Sequence, residues 1–355
     1  MALLNVLTIN IGSSSLKASL FATNGNRRNF HYDFTSQNKD VLNHTLEALL
    51  VHLNGSQIDR IGHRFVHGGN VTDLARVIDD IERARLQTIS HLAPLHMPKN
   101  LQAVDFFANH LMLPQVACFD TAFHATLPEI AYRLPIPQHL NMRRYGFHGL
   151  NYAYVAKQLP SLIGNLAQGR VIVAHLGSGA SLCVLENMKS VNTSMGFTPA
   201  GGIPMATRSG DLDPGVMLAL AKQHSYEDLS TLVYEKMGLF ALSNEESGNV
   251  ATLIKSKSVH AQFALKYFAR AIRGKIGEYA AQFGGFDALV FTGGIGEHCA
   301  YMRNLICEEL AFLNIVLDLR ANTLNSNKLH MPGSKPILLI QADEESEIAR
   351  LTSLA

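Results

Sequence analysis

Apolar positions recur along this chain in two rhythms. Over residues 40–53, Leu42, Leu46, Leu49, Leu50 and Leu53 fall on one face at helical spacing, and the same period marks residues 260–283 and 301–312. Between such stretches lie short apolar runs that stop at a polar residue or a glycine, at residues 6–10, 115–120, 171–175, 288–292 and 337–340. Runs of that length, bounded by turn residues, predict buried strands. Strands alternating with helices predict an α/β protein with helices packed on mixed sheets. No run reaches the roughly 18 apolar residues of a membrane span.

One stretch of the pattern occurs twice. Val6-Leu-Thr-Ile-Asn-Ile-Gly-Ser-Ser-Ser-Leu-Lys-Ala-Ser-Leu20 is echoed by Val171-Ile-Val-Ala-His-Leu-Gly-Ser-Gly-Ala-Ser-Leu-Cys-Val-Leu185, at a constant offset of 165 residues. In each copy an apolar run ends in a polar residue (Asn10, His175), turns through Gly12-Ser13 or Gly177-Ser178, and resumes as an alternating strand. Such a turn gathers backbone N–H groups and serine hydroxyls into a concavity that suits an anion. A single Gly-Ser hairpin is ordinary structure; its repetition predicts duplicated halves, each with a phosphate-binding turn. A third glycine turn, Gly293-Gly-Ile-Gly296, follows the run at 288–292 and is of the strand-to-helix kind at which nucleotides dock. Neither G-x-G-x-x-G nor G-x-x-x-x-G-K-[ST] occurs, which disfavours a Rossmann dehydrogenase or a Walker-type NTPase.

With 355 residues, 47% of them apolar, the chain exceeds the roughly 250 to 300 residues at which one core stops growing, so two domains are expected. Thirty basic residues against 29 acidic leave a formal net charge of +1, too weak a field to draw in nucleic acid or an anionic membrane. Its partners are therefore expected to be small molecules. The four cysteines, Cys118, Cys183, Cys299 and Cys307, have no C-x-x-C spacing and predict a reducing, cytoplasmic setting. The opening residues lack a basic n-region and a small-residue cleavage site, and read as a first strand rather than a secretion signal.

Three arginine motifs stand between glycine turns: Arg64 in Gly62-His-Arg-Phe-Val-His-Gly-Gly69, Arg143-Arg144 before Tyr145-Gly-Phe-His-Gly149, and Arg208 in Thr207-Arg-Ser-Gly-Asp-Leu-Asp-Pro214. A guanidinium fork matches carboxylate and phosphoryl oxygens two at a time. Taken singly, an arginine is more often a surface ion pair, and Asp211 and Asp213 are near partners for Arg208. Asp120, closing the run at 115–120, and Glu344, after the run at 337–340, stand where open α/β sheets bind ligands and suit Mg2+. The plainer role for such acids is helix capping, and Asp343 needs no other. His63 and His67 lack the glutamate of H-E-x-x-H and read as structural, whereas His96, His148 and His175 are candidate donors to phosphoryl oxygens.

Together these residues resemble the acetate kinase family, within the superfamily of actin, hexokinase and the sugar kinases. The resemblance runs nearly end to end, through Asn10-Ile-Gly-Ser-Ser-Ser-Leu-Lys17, Gly62 to Gly69, Leu92-Ala-Pro-Leu-His96, Phe119-Asp-Thr-Ala-Phe-His124 and Arg144-Tyr-Gly-Phe-His-Gly149. It continues through His175-Leu-Gly-Ser-Gly-Ala-Ser181, Thr193-Ser-Met-Gly-Phe-Thr-Pro199, Thr207 to Pro214, Phe291-Thr-Gly-Gly-Ile-Gly-Glu297 and Asp343-Glu-Glu345.

The resemblance implies two duplicated ribonuclease-H-like domains, residues 1–121 plus 344–355 and residues 122–343, with an active-site cleft between them and the nucleotide site and dimer interface in the second. It implies reversible in-line transfer of a phosphoryl group from ATP to acetate, giving acetyl phosphate and ADP, with Mg2+ or Mn2+, in a cytoplasmic homodimer. Asn10, Ser13, Ser15 and Lys17 would lie in the first phosphate hairpin, and Asn10 and Glu344 would serve the metal. Asp120 would organise the metal and steer the attacking carboxylate. Arg64 and Arg208 would grip the carboxylate and the phosphoryl group, while His148 would stabilise the equatorial oxygens of that group, with His96 in support. His175, Gly177, Gly179, Gly293, Gly294 and Gly296 would hold the nucleotide, and Val66, Leu95, Phe147 and Pro199 would form an apolar acyl pocket. One methyl group in such a pocket changes binding by only about 1 to 3 kcal/mol, so acetate and propionate stand equal at this level.

The chain departs from the family before Arg64, where it is shorter, and at Pro199-Ala-Gly-Gly-Ile-Pro-Met-Ala206, which replaces an acidic Leu-Glu-Gly segment. Glu246-Ser-Gly-Asn-Val250 stands in place of the adenine-site Ser-Ser-Asp-x-Arg, and His298 in place of an asparagine. Another nucleotide, or pyrophosphate, is therefore the alternative donor. A nucleotide-driven switch on the same fold is the alternative of a different class, and a metal-dependent hydrolase lacks the ligand spacing it would need.

Overall fold

The computed structural model describes residues 4–12, 15–33, 39–94 and 96–355. Ser13 and Leu95, two of the expected site residues, lie outside them. The first sheet comprises β1 (Val6–Ile11), β2 (Ser15–Phe21), β3 (Arg27–Asp33), β4 (Arg60–Phe65), β5 (Ala75–Val77) and β6 (Gln115–Phe119), in the spatial order β3-β2-β1-β4-β6-β5. β1 to β3 form an antiparallel meander, β4 and β6 continue parallel to β1, and β5 closes the edge antiparallel. The second sheet comprises β7 (Arg170–Leu176), β8 (Ala180–Glu186), β9 (Lys189–Thr193), β10 (Ala288–Thr292) and β11 (Ile337–Leu339), in the order β11-β10-β7-β8-β9. Without β5, the two orders are the same: a meander with two parallel strands added beside its first member. This is the duplication that the sequence echo predicts, on the ribonuclease-H-like plan that the resemblance implies.

The two hairpins differ by one residue. Ile11 pairs with Leu16, so four residues close the first turn, whereas Leu176 pairs with Ala180 and three close the second. The offset of 165 therefore holds up to the turn and shortens by one beyond it.

Every residue of β1 is buried because both faces of the sheet are covered. Helices Lys39–Leu53 and Met97–His110 pack Leu42, Leu46, Leu49 and Phe107 against Leu7, Ile9 and Ile11. On the opposite face, the last helix, Glu344–Leu354, sets Ile348 and Leu351 against Val116 and Cys118. The period over residues 260–283 becomes helix Val259–Phe283, begun by the Ser258 hydroxyl bonding the His260 N–H and ended at Gly284. The stretch 301–312 does not stay helical. Helix Ala300–Cys307 gives way to a tight turn at Ala311–Leu313, which takes Leu310 into the core and leaves Phe312 exposed.

Contacts divide the chain into two compact units, one of Met1–Ala125, Phe147–Tyr154 and Asp343–Ala355, the other of Thr126–Gly146 and Val155–Ala342. Among the described residues no helix is long and apolar enough to cross a membrane.

Candidate active site

In the first unit, three polar residues stand at the carboxyl ends of three neighbouring parallel strands. Asn10 lies near the end of β1, Arg64 near the end of β4, and Asp120 follows the last residue of β6, its N–H bonded to the Phe65 carbonyl at 3.0 Å. Register puts them on one face, the one covered by the last helix. Arg64 Nε and Nη2 donate to Asp120 Oδ2 at 3.0 and 2.6 Å, and Nη1 donates to Asn10 Oδ1 at 3.0 Å. From the first turn of the last helix, Glu344 and Glu345 each accept a hydrogen bond from Asn10 Nδ2, at 2.9 and 3.1 Å. Glu344 also lies 3.5 Å from Arg64 Nη1. One cation thus ties together two carboxylates and an amide.

The electrostatics follow from depth. Burial raises the Asp120 carboxyl to about 6; Arg64 pulls against that rise, and the Glu344 charge adds to it. Burial works against the charge on Arg64, but Asp120 and Glu344 outweigh it and hold the proton more firmly than usual. Asp120 Oδ1 is buried with no well-formed hydrogen bond among the described residues, although the backbone N–H of Leu150 comes near enough to the carboxylate to lower its affinity for the proton. An ionisable oxygen in that condition is an acceptor waiting for a cation or a donor.

Behind this cluster runs the segment Phe147–Tyr154. His148 adopts φ +59°, a left-handed conformation that a side chain other than glycine rarely takes, and Gly149 returns its N–H to the Asp120 carbonyl at 2.9 Å. The turn therefore fixes His148 beside Asp120 in the chain path. Phe147 is buried with its edge against His67, whose neighbour Val66 is also buried. His124 Nε2 bonds the Phe147 carbonyl at 3.0 Å. His96 is the N-cap of the helix Met97–His110. His63 and His67 are structural, His63 bonded to Gln115 at 2.6 Å and His67 Nδ1 accepting from the Gly69 N–H at 2.8 Å.

Lys17 pairs with Asn10 across β1 and β2, so its exposed side chain shares the face of Asn10. The carbonyl of Ser15 accepts the Gly12 N–H at 2.8 Å and closes the first hairpin.

In the second unit the glycine turns again stand at the carboxyl ends of parallel strands. His175 lies on β7, paired with Ser181 and Thr292, and the turn after it is closed by Gly177 N–H to the Gly179 carbonyl at 3.1 Å. β10 runs straight into helix Gly293–His298, which contains Gly294 and Gly296 and has no side-chain cap at its start. Arg208 donates from Nη1 to the carbonyl of buried Pro199 at 2.8 Å. No carboxylate pairs with it among the described residues: Asp211 accepts the Gly202 N–H, and Asp213 caps the helix Pro214–Ala221. Burial lowers the affinity of Arg208 for its proton, with Tyr234 opposing. Arg208 is thus a cation without a resident anion.

The other arginine motif is structural. Arg144 Nη1 bonds the carbonyls of Thr193, Ser194 and Met195 at 3.0, 3.0 and 3.2 Å, and Arg143 stacks on Tyr132. In Glu246–Val250, Asn249 Oδ1 caps the following helix through the N–H groups of Ala251 and Thr252. Sequence reasoning missed Arg303, fully buried, whose guanidinium holds the carbonyls of Gly296 and Glu297 at 2.7 and 3.0 Å. Its place in an apolar helical period carried no signal. Arg27 and Glu345 were missed as well, because their partners are visible only from strand register.

The chain matches the family described as Acetokinase family over residues 22–350. An acetate kinase of Rhodopseudomonas palustris is 43% identical over 304 residues, covering 83% of this chain and 76% of that protein. A propionate kinase of Salmonella typhimurium is 40% identical over 329 residues, covering 89% and 81%. The crystal structure of a propionate kinase from Francisella tularensis superposes with a TM-score of 0.88 at 30% identity, covering 99% of each chain.

Proposed function

The chain belongs to the acetokinase family, and from that premise we propose that it transfers a phosphoryl group between ATP and acetate, reversibly and with Mg2+. An acetate oxygen forms a bond to the γ-phosphorus as the bond from that phosphorus to the ADP oxygen breaks, leaving acetyl phosphate and ADP. Such a transfer asks the protein for alignment and charge neutralisation, with no covalent enzyme intermediate. The observation that carries the reading is the Arg64 cluster, in which Asp120 Oδ2 is engaged while buried Oδ1 has no well-formed hydrogen bond among the described residues.

Three of the five Arg64 N–H donors are used in hydrogen bonds; of the two left, the one on Nη1 belongs to the nitrogen that Glu344 approaches to 3.5 Å, and the one on Nη2 remains for a substrate carboxylate. Val66, Leu95, Phe147 and Pro199 supply the apolar surroundings of its methyl group. Mg2+ commonly takes one or two carboxylates together with water and phosphate oxygens, and Asp120 Oδ1 with Glu344 is a donor set of that kind. Asn10 serves this pair by holding Glu344 in place. When bound, Mg2+ neutralises the phosphate charge of the nucleotide. Arg208, with no acid of its own, neutralises the transferred group, and His148 donates to its equatorial oxygens. The turns with Ser13, Ser15 and Lys17, with His175, Gly177 and Gly179, and with Gly293, Gly294 and Gly296 hold the phosphates and the nucleoside. The nucleotide site belongs to the domain of residues 122–343, and residues 1–121 plus 344–355 form the other domain. A cytoplasmic homodimer, joined through the second unit, completes the reading.

The test is a panel of carboxylates against phosphoryl donors, with hydroxylamine trapping the acyl phosphate. Acetate or propionate with ATP and Mg2+ is expected to give hydroxamate, and Arg208→Ala to remove it while the far-ultraviolet spectrum is unchanged. No product from any C2 to C4 carboxylate with ATP, GTP or pyrophosphate overturns the assignment. A second donor is favoured by one observation: Glu246–Val250 lacks the family's aspartate and arginine, and its Asn249 is spent on capping. Product from pyrophosphate and none from ATP would establish that version.

A further inference from the structure

β3 is the edge strand of the first sheet, and its side chains alternate between faces. Arg27, Asn29 and His31 pair with Phe21, Ser19 and Lys17 of β2, which pair in turn with Val6, Thr8 and Asn10 of β1. Residues opposite each other across antiparallel strands point the same way, so Arg27 lies on the face that carries Asn10. Its guanidinium stacks on the Phe21 ring with 4.7 Å to the centroid. Nε donates to Asn29 Oδ1 at 2.6 Å and Nη2 to Ser19 Oγ at 3.3 Å. Held from below in this way, the fork has one direction left to reach.

That direction is the start of the last helix. Arg27 Nη1 donates to both carboxylate oxygens of Asp343, at 2.9 and 2.7 Å, and to Ser346 Oγ at 3.3 Å; Nη2 lies 3.9 Å from Glu345. Asp343 is the N-cap, accepting the Ser346 N–H at 3.1 Å. Burial works to raise its carboxyl, but the bonds from Arg27 and Ser346 hold it below the ordinary value. The residues immediately after the cap, Glu344 and Glu345, are those that meet Asn10. Asp343, Glu344, Glu345 and Glu347 crowd this first turn with like charge, and Arg27 supplies the opposing cation at its base.

We infer that Arg27 is a positioning residue for phosphoryl transfer: by clamping Asp343 and Glu345 it sets where the last helix presents Glu344 to Asn10 and Arg64. This rests on the acyl kinase reading above. Arg27 touches neither substrate nor metal in this role. It governs how well Glu344 is placed to receive the cation.

The experiment compares Arg27→Ala, Arg27→Lys and a control, Arg28→Ala. Arg28 is next on β3 but turns to the other face, bonding Ser56 Oγ at 3.0 Å and the His52 carbonyl at 2.7 Å. Two quantities are read: the Mg2+ concentration for half-maximal acyl phosphate formation, and Mn2+ affinity without turnover, from the electron paramagnetic resonance of the free ion in the presence of ADP. Arg27→Ala is expected to raise the Mg2+ requirement and to lower the Mn2+ affinity, each by roughly tenfold, the usual cost of losing a group that orients a metal ligand, with the KM for acetate unchanged. Arg27→Lys recovers part of the loss, because an ammonium reaches Asp343 but cannot bond Asn29, Ser19 and Asp343 together. Arg28→Ala leaves both unchanged. Parental metal requirements in Arg27→Ala, or the same shift in Arg28→Ala, overturn the inference. If the parent forms no acyl phosphate, the functional reading fails on its own account; equal Mn2+ binding by parent and Arg27→Ala still refutes the role of Arg27.

Discussion

At the scale of single residues, Asp120 and Gly149 bear the sharpest consequences. Asp120 holds its proton up to about 6 against an ordinary 3.8, first because it is buried. A raised folded value means that the stability linked to this proton is full below about pH 4 and is lost as pH rises through about 6. The melting temperature of the parent minus that of Asp120→Asn should therefore fall between pH 4 and 7, and a flat difference would count against the shift. Activity carries the opposite sign, since the ionised form receives the cation. An acid limb near pH 6 is expected in the rate, moving to lower pH as Mg2+ is raised, because metal and proton compete for one oxygen. A limb indifferent to Mg2+ removes Asp120 from the metal set. Gly149 bonds the Asp120 carbonyl so closely that a Cβ there would strike that oxygen. Gly149→Ala should destabilise by roughly 2 to 4 kcal/mol in urea titrations and abolish transfer, and a fully stable variant would refute this packing. Arg64, Asp120 and Glu344 were legible as motif members because chemistry confines each to few residue types. Arg27 was illegible, since its meaning comes from Ser19 on β2, Asn29 on β3 and Asp343, Glu345 and Ser346 at the start of the last helix, which only folding assembles.

At the scale of elements, candidate site residues stand at the carboxyl ends of parallel strands, at β1, β4 and β6 in one sheet and at β7 and β10 in the other. Each such end opens a crevice where the chain must leave the sheet, and glycine lets it leave sharply. Gly293 shows the constraint: it has φ +77°, and a Cβ would sit 2.8 Å from the Leu176 carbonyl oxygen. Gly293→Ala should weaken MgADP binding by about tenfold or more in calorimetry, since the turn must shift away from β7. Unchanged affinity would separate this turn from the nucleotide. The strands and long helices were readable because burial on one or both faces imposes a period on the sequence. Two features escaped that logic. The shorter second turn was hidden because the echo aligns equally well with or without the missing residue. The break after Cys307 was hidden because Leu310 is apolar both as a helical stripe residue and as a core residue in a turn.

At the scale of the whole molecule, one element contradicts the rule that apolar residues are covered. Helix Pro214–Ala221 is apolar apart from Pro214 and Gly215, yet none of its residues is buried, and Leu218 is 69% exposed. Val216 within the helix, and Leu212 and Tyr226 before and after it in the chain, are exposed as well. A soluble monomer rarely leaves so hydrophobic an element in water, and with a net charge of only +1 general repulsion does little to keep copies apart. The homodimer proposed above would place a second copy of the chain on this surface, in a two-fold arrangement where one patch meets its own equivalent. Because each substitution then enters the interface twice, a single acid should be decisive. Leu218→Asp is expected to sediment as a monomer at micromolar concentration where the parent sediments as a dimer, while its intrinsic fold is preserved because the site is exposed. Phe312→Asp, at a position 78% exposed outside this patch, should remain dimeric. A monomeric parent, or a Leu218→Asp chain that still dimerises, would show that helix Pro214–Ala221 is not where two copies join.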